Sequence, residues 1–221
     1  MNHWVIEQVL SAGVHGLMLC HARNPEAVRM FVATARYQFE RAELKGADKG
    51  IPEGLRGSGS QSYASRIWGI SGTEYIERAD PWPMNPKGEL ILSLKMEDKY
   101  ALANVEEITK VPGIAWGEWG PGDQSMSLMG LEYLKKGGSN EAHAGSDGFT
   151  PEGLPRIGVQ KLDEARARIM AAMKANHIFQ LHSTSIENLE QLIKAGIMVT
   201  HGTSVEVTNK GRAFTKRQMP Y

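Results

Sequence analysis

An α/β chain built on a parallel sheet or a βα barrel is the architecture the sequence predicts, and three observations predict it. Short apolar runs of strand length alternate with stretches of helical periodicity five times along the 221 residues, the pattern of strands joined by crossover helices. No repeat of solenoid period cuts across this alternation. The glycine-rich stretches are loops within it and not linkers between separate cores, so residues 1–221 read as one domain.

The elements follow in order. Asn2 is placed to cap a helix that runs to about Ser11 and stops at Ala12-Gly13. Residues 15–20 (HGLMLC) have the length of a strand. Asn24-Pro25-Glu26 then supplies a cap oxygen, a proline at the first helical position and an acid in the first turn, after which Val28, Phe31, Val32 and Ala35 recur on one face. From Gln38 to about Gly59 the chain is rich in glycine and charge, a long connection of the kind that is usually functional or mobile. A modest helix over 73–78 is followed by Pro81, Pro83 and Pro86, which block its continuation. The run 89–96 (ELILSLKM) is a second strand, 98–110 a helix with Ala101, Val105 and Ile108 inside, and 114–119 a third strand that enters GPGDQS directly. Five glycines mark 135–155 as a loop, and helix 159–174, strand 178–181, helix 186–194 and strand 197–200 complete the alternation. The basic tail GRAFTKRQMPY packs on a partner or lies in solvent.

Composition removes several function classes. Lys+Arg and Asp+Glu number 25 each, so no net charge recruits a polyanion, and nucleic acid is not the expected partner. The chain is 41% hydrophobic and 23% charged, enough apolar content for a core, yet no apolar run approaches the roughly 18 residues that span a bilayer. Cys20 is the single cysteine, which forbids an intramolecular disulfide, and the start MNHWVIEQVL has no secretory pattern. The expected location is cytoplasmic, with no membrane partner.

In a parallel βα fold, functional groups gather at the C-terminal ends of the strands. Glu97 ends the second strand and Asp123 follows the third, 26 positions later. Two carboxylates at one mouth suit a hard divalent cation such as magnesium or manganese. The competing possibility is that they cap or salt-bridge helices. Gly120-Pro121-Gly122-Asp123 lets the backbone approach a ligand and opens a short helix over 124–128 with free N–H groups, a setting for carboxylate or phosphate; alternatively it is a tight turn needing positive φ. The glycine-rich 52–59 segment lacks the Lys-Ser/Thr of a nucleotide loop, which excludes ATP.

His21, His182 and His201 fall at or just past strand ends, where a general base, an extra ligand or a hydrogen-bonded structural histidine would sit. His3, His15, His143 and His177 have no such position and are expected to be structural. Lys95 lies two residues before Glu97 and faces the same side, either reaching the mouth or pairing with Glu97 internally. Cys20 reads as a buried inert thiol, Met126 and Met129 as helix packing, and Trp116 and Trp119 as bulk.

The segments PEGLRGSGS, LSLKMED and VPGIAWGEWGPGDQS together resemble the HpcH/HpaI aldolase and citrate lyase family of metal-dependent class II 2-oxo acid aldolases. The resemblance implies a (β/α)8 TIM barrel of which this chain holds the counterparts of β4–β8, so that it is either incomplete at the N-terminus or closed by another chain. It implies a divalent ion (Mg, Mn or Co) on Glu97 and Asp123, acting as a Lewis acid in place of a Schiff-base lysine. It implies a pyruvate-like carboxylate on the backbone amides of the turn Gly120-Pro121-Gly122-Asp123, at Gly122 and Asp123. The family's enolate-stabilising Arg and its proton-transferring His belong to strands without a counterpart here. His21 and Lys95 are left as candidate catalytic groups, His21 as a local replacement and Lys95 as a partner standing behind the carboxylates. Where the family has Pro and an apolar residue, this chain has Cys20-His21. The expected activity is a carbon–carbon lyase cleaving or forming 4-hydroxy-2-oxo acids, with a 2-oxo acid and an aldehyde as partners, in a homo-oligomer. The alternatives are an acyl-CoA lyase of the same superfamily and a catalytically impaired remnant that binds a metal or a 2-oxo acid.

Overall fold

The computed structural model describes residues 3–138, 153–154, 157–201 and 204–216. Six strands lie in one sheet: β1 (Gly16–Leu19), β2 (Pro81–Trp82), β3 (Leu90–Met96), β4 (Trp116–Trp119), β5 (Phe179–Ser183) and β6 (Ile197–His201). The order is β1-β3-β4-β5-β6, with the two-residue β2 also paired to β3, and every pairing is parallel. The strand pattern expected from the sequence is present with shifted ends. No ladder joins β1 to β6 among the described residues, so the described sheet is open and does not close into a barrel by itself.

Parallel strands covered on both faces read as near-continuous apolar runs. β3 shows this: of LILSLKM, only Ile91 and Lys95 are not fully buried. The helices that cover the sheet are α1 (His3–Ser11), α2 (Pro25–Ala35), α3 (Gln61–Trp68), α4 (Gly72–Arg78), α5 (Lys99–Ala103), α6 (Val105–Ile108), α7 (Pro121–Lys135), α8 (Gln160–Ala175), α9 (Leu189–Lys194) and α10 (Val205–Thr215). One core joins Val28, Phe31 and Val32 of α2, Leu92, Leu94 and Met96 of β3, Ile108 of α6, and Ile169 and Met173 of α8. The α2 start is built as its sequence requires: Pro25 opens the helix and the Asn24 side chain accepts the Ala27 N–H at 2.8 Å.

Several expectations need correction. The helix expected over 98–110 is two short ones, because Asn104 leaves helical geometry at φ −112°. α3, absent from the expected elements, carries Tyr63, Ala64, Ile67 and Trp68 at helical spacing and is fixed from outside. Trp68 Nε1–H donates to the Gly13 carbonyl at 2.9 Å, and the indole stacks on His15 with centroids 4.0 Å apart. Cys20 is exposed, contrary to the expected buried thiol. Met126 is also exposed at 54%, so helix packing describes Met129, which lies against the core, but not Met126. The Asn2 cap, His143, most of the 135–155 loop and the end of the C-terminal tail lie outside the described residues.

The long connection over 38–59 is pinned to the body of the protein. Its Leu55 and Arg56 N–H groups donate to Ala33 and Arg36 carbonyls at 3.0 and 2.9 Å. Below it lies the fully buried Asp80 carboxylate, met by Arg36 Nε at 3.0 Å, Arg41 Nε at 3.3 Å and the Asn85 amide at 3.0 Å. A second acid, Asp48 in the connection, takes the other end of the Arg36 guanidinium at 3.0 Å. Arg41 also donates to the Glu77 and Ile76 carbonyls. Removing one partner of a buried ion pair leaves the others charged and desolvated, whereas an exposed pair contributes little. Asp80→Ala is therefore expected to lower the free energy of unfolding in urea by about 3–5 kcal/mol, against less than about 0.5 kcal/mol for Glu107→Ala, which breaks the exposed Lys110 pair.

Candidate functional site

The C-terminal ends of β1, β3 and β4 form one rim. Glu97 follows Met96, the last residue of β3, and Gly120 follows Trp119, the last residue of β4, two positions that are direct partners in the ladder. The Gly120 N–H extends that ladder to the Met96 carbonyl at 3.4 Å. Chain direction then turns into α7, whose first residues are Pro121, Gly122 and Asp123. GPGD is thus the opening of a helix that runs unbroken to Gly130, where φ +76° kinks it, and not a positive-φ turn, since Gly120 sits at φ −92° and the first bonded amide is that of Gln124, at 3.0 Å from the Gly120 carbonyl. The N–H groups of Gly122 and Asp123 have no partner inside the helix and carry its positive dipole end. Gly120 is required by close approach: a Cβ there would meet Glu97 Oε2 at 2.5 Å and Glu97 Cβ at 2.7 Å.

The Glu97 carboxylate is almost wholly buried, at 1% exposure. Its Oε1 accepts the His21 backbone N–H at 3.2 Å. Its Oε2 has no hydrogen-bond donor; the nearest cation is Lys95 Nζ at 3.4 Å, placed there because positions two apart on β3 share a face. Lys95 Nζ is also 3.9 Å from Glu118 Oε1, its cross-strand partner on β4. The next residue, Asp98, has a different task. Its Oδ1 caps α5 by accepting the Tyr100 and Ala101 N–H groups at 3.0 and 2.9 Å, and its Oδ2 accepts Arg23 Nε at 2.6 Å. Of the two neighbouring acids, Asp98 is the helix cap and Glu97 is not.

His21, Glu97 and Asp123 each present one donor atom, and the three atoms lie within 4.8 Å of one another. His21 Nδ1 is 3.6 Å from Glu97 Oε1 and 3.4 Å from Asp98 Oδ2. Burial raises the Glu97 carboxyl above its ordinary range, with the Asp123 charge adding to this and the His21 N–H and Lys95 opposing it. Asp98, although burial works the other way, is held below its ordinary range by the Ala101 N–H and the Arg23 guanidinium. Burial and the nearby Glu97 push the Cys20 thiol up, so this exposed thiol is protonated and a poor nucleophile.

Asp123 opens onto a cavity of about 530 Å³ whose walls include Lys95, Glu118, Arg166, His182, Ser183 and His201. His182 and His201 therefore face the same space as Asp123 without joining the three-residue cluster. Burial lowers the His182 imidazole, whose Nδ1 lies 2.8 Å from the Ser183 carbonyl, and His201 Nε2 pairs with Ser183 Oγ at 2.9 Å. His3 bonds Thr34 and His15 stacks on Trp68, both away from the rim. Sequence reasoning passed over Glu118 and Arg166. Strand parity exposes Glu118, which lies opposite Lys95, but nothing local exposes Arg166, which reaches the cavity from α8 with its guanidinium over the Trp119 ring at 5.5 Å.

No family model matches the chain. Over 124 residues, 56% of its length, it is 30% identical to a hydroxypyruvate/pyruvate aldolase of Deinococcus radiodurans, of which the match covers 37%. The same extent and identity hold for a 2-keto-3-deoxy-L-rhamnonate aldolase of Salmonella paratyphi B, of which the match covers 39%. The matched segment thus spans about two fifths of the length of these curated relatives. Among solved structures, an HpcH/HpaI aldolase/citrate lyase family protein from Burkholderia cenocepacia superposes with a TM-score of 0.62 at 21% identity, covering 97% of this chain and 68% of that one. An HpcH/HpaI aldolase from Desulfitobacterium hafniense gives 0.57 at 15% identity over 100% and 71% of the two chains, and macrophomate synthase 0.56 at 19% over 97% and 60%. The likeness to these structures is one of fold, a parallel α/β sheet arranged as in aldolase and citrate lyase proteins.

The raised Glu97 carboxyl has a consequence for stability. Its contribution is present below the unfolded carboxyl value and is lost as pH rises through the higher folded one. In the presence of a chelator, Glu97→Gln is expected to unfold at a higher temperature than the unaltered protein at neutral pH, by roughly 2–4 °C for about 1 kcal/mol in a domain of this size. The gap should close as pH falls into the carboxylate range. A midpoint that is lower for the variant at neutral pH contradicts the assignment.

Proposed function

We propose that this chain carries the metal and 2-oxo acid site of a carbon–carbon lyase, a class II aldolase that cleaves or forms 4-hydroxy-2-oxo acids. The observation that carries the reading is the meeting of the Glu97 and Asp123 carboxylates beside the open N-terminus of α7. The donor set fits a divalent cation: a buried carboxylate oxygen without a hydrogen bond, a second acid within reach, and a glycine whose missing Cβ keeps the space beside Oε2 clear. An ion held by Glu97 and Asp123, whether Mg, Mn or Co, supplies Lewis-acid polarisation of a 2-oxo group.

The chain's own residues supply the remainder. The Gly122 and Asp123 N–H groups, with the helix dipole behind them, bind the substrate carboxylate, and Pro121 at the first helical position removes an N–H that would otherwise need a partner. Lys95 offsets the charge of Glu97 and Glu118 and keeps its proton: burial works against this, but Glu118 and Glu97 hold its ammonium above the ordinary range, which suits a charge partner and not a Schiff-base amine. The cavity of about 530 Å³ is of a size for a small organic ligand and takes the aldehyde portion. The homology to proteins named hydroxypyruvate/pyruvate and 2-keto-3-deoxy-L-rhamnonate aldolases supports this substrate class. The reading includes further strands from a longer protein or a second chain, since β1 and β6 leave both sides of the described sheet open.

Calorimetric titration with Mn2+ and then pyruvate, beside a pyruvate-release assay on a 4-hydroxy-2-oxo acid with added Mg2+ or Mn2+, tests the proposal. Asp123→Ala is expected to weaken Mn2+ binding by about 100-fold, to abolish the pyruvate titration that depends on it and, in the enzyme completed by those further strands, to abolish turnover. Unchanged Mn2+ binding or turnover in Asp123→Ala overturns the assignment. Gly120→Ala, which places a methyl group 2.5 Å from Glu97 Oε2, is expected to weaken Mn2+ binding by about tenfold or more through displacement of that carboxylate.

A further inference from the structure

Beside the two acids stands a group that a hard-cation site does not need. His21 follows β1 by two residues, and its backbone is left-handed at φ +50°, a conformation that residues other than glycine seldom adopt. Two hydrogen bonds hold it there. Its own N–H donates to Glu97 Oε1 at 3.2 Å, and the following Ala22 N–H donates to the Lys95 carbonyl at 3.2 Å. The imidazole is thereby aimed at the same point as the Glu97 and Asp123 oxygens, with all three donors inside 4.8 Å. In an octahedral shell with bonds of about 2.1 Å, neighbouring donors are about 3 Å apart and opposite ones about 4.2 Å. The 3.6 Å between His21 Nδ1 and Glu97 Oε1 falls inside that range, while the 4.8 Å limit on the three-donor set exceeds it, so the donors must draw in on an ion.

Asp98 Oδ2 lies 3.4 Å from the same Nδ1, but it is already taken up by Arg23 at 2.6 Å while the other oxygen of that carboxylate caps α5, so the nitrogen is not committed to Asp98. The buried Glu97 Oε2 accepts no hydrogen bond and has the Lys95 ammonium beside it at 3.4 Å, which leaves it a lone pair to offer an ion.

We propose that a ring nitrogen of His21 is a third protein ligand, so that the centre binds one divalent ion through one nitrogen and two carboxylates and favours later first-row ions such as cobalt and nickel over magnesium. The proposal rests on the ion assigned above to Glu97 and Asp123. Its chemistry is that imidazole binds later transition ions far better than it binds magnesium, which keeps oxygen ligands. His21 is half exposed and its backbone geometry is one that glycine and asparagine accept, so His21→Gly and His21→Asn both retain the fold.

The full chain is loaded with Mn2+ and studied by pulsed electron paramagnetic resonance, and Co2+ and Mg2+ affinities are measured by calorimetry. The expected results are nitrogen modulation from a directly bound imidazole, its loss in both His21 variants, and a fall of about tenfold or more in Co2+ affinity with Mg2+ affinity changed by less than about threefold. Mn2+ binding that requires Glu97 and Asp123 but shows no nitrogen modulation overturns this inference and leaves the metal site standing. Absence of Mn2+ binding, or binding unaffected by Glu97→Gln and Asp123→Ala, overturns both.

Discussion

A carboxylate withdrawn from water must be met by positive charge, by N–H donors or by a cation from outside, and the rim of this sheet is arranged around that requirement at Glu97. One oxygen receives a backbone amide; the other faces an ammonium at 3.4 Å but accepts no hydrogen bond. Everything close by follows from making room for that second oxygen. Gly120 has no side chain to fill the space, Lys95 stands behind it, and Asp98 serves the helix so that Glu97 need not. The raised affinity of Glu97 for a proton is the electrostatic expression of the same unmet demand.

Asp80 shows what a finished solution looks like. It is equally buried, yet two guanidinium groups and an amide converge on it, and its role is to anchor the connection that passes over α4. Two buried acids in one fold thus differ in how completely the protein satisfies them. The complete one is structural, and the incomplete one lies at the C-terminal rim, opens toward a cavity and has a second acid beside it.

The parts of this arrangement that the sequence discloses are those fixed by local rules. ELILSLKM has the length and apolar run of a strand, Asn24-Pro25-Glu26 has the cap, proline and acid of a helix start, and Glu97 and Asp123 stand at or just past strand ends by simple counting. What it conceals depends on distant partners. α3 is held by Trp68 bonding to Gly13 and stacking on His15, distant contacts that its own eight residues do not announce. The exposure of Cys20 and the aim of His21 follow from a left-handed residue at the end of β1 that no glycine announces. The opening of α7 at Pro121 hides because a Gly-Pro-Gly run is equally the signature of a turn. Arg166 reaches the cavity across tertiary space from α8.

The ladder between β3 and β4 has one more implication. Met96 and Trp119 are paired, Glu97 and Gly120 come next, and adjacent strands lie about 4.8 Å apart whatever joins them. The gap between the two acids is measured by the pleated ruler of the sheet and by the first turn of α7, not by the crossover of residues 99–115. The exposed positions of that crossover, such as Ala103 and Glu107, are consequently where composition can drift while the spacing of the oxygens stays the same, whereas the buried Ala101, Val105 and Ile108 hold it to the core.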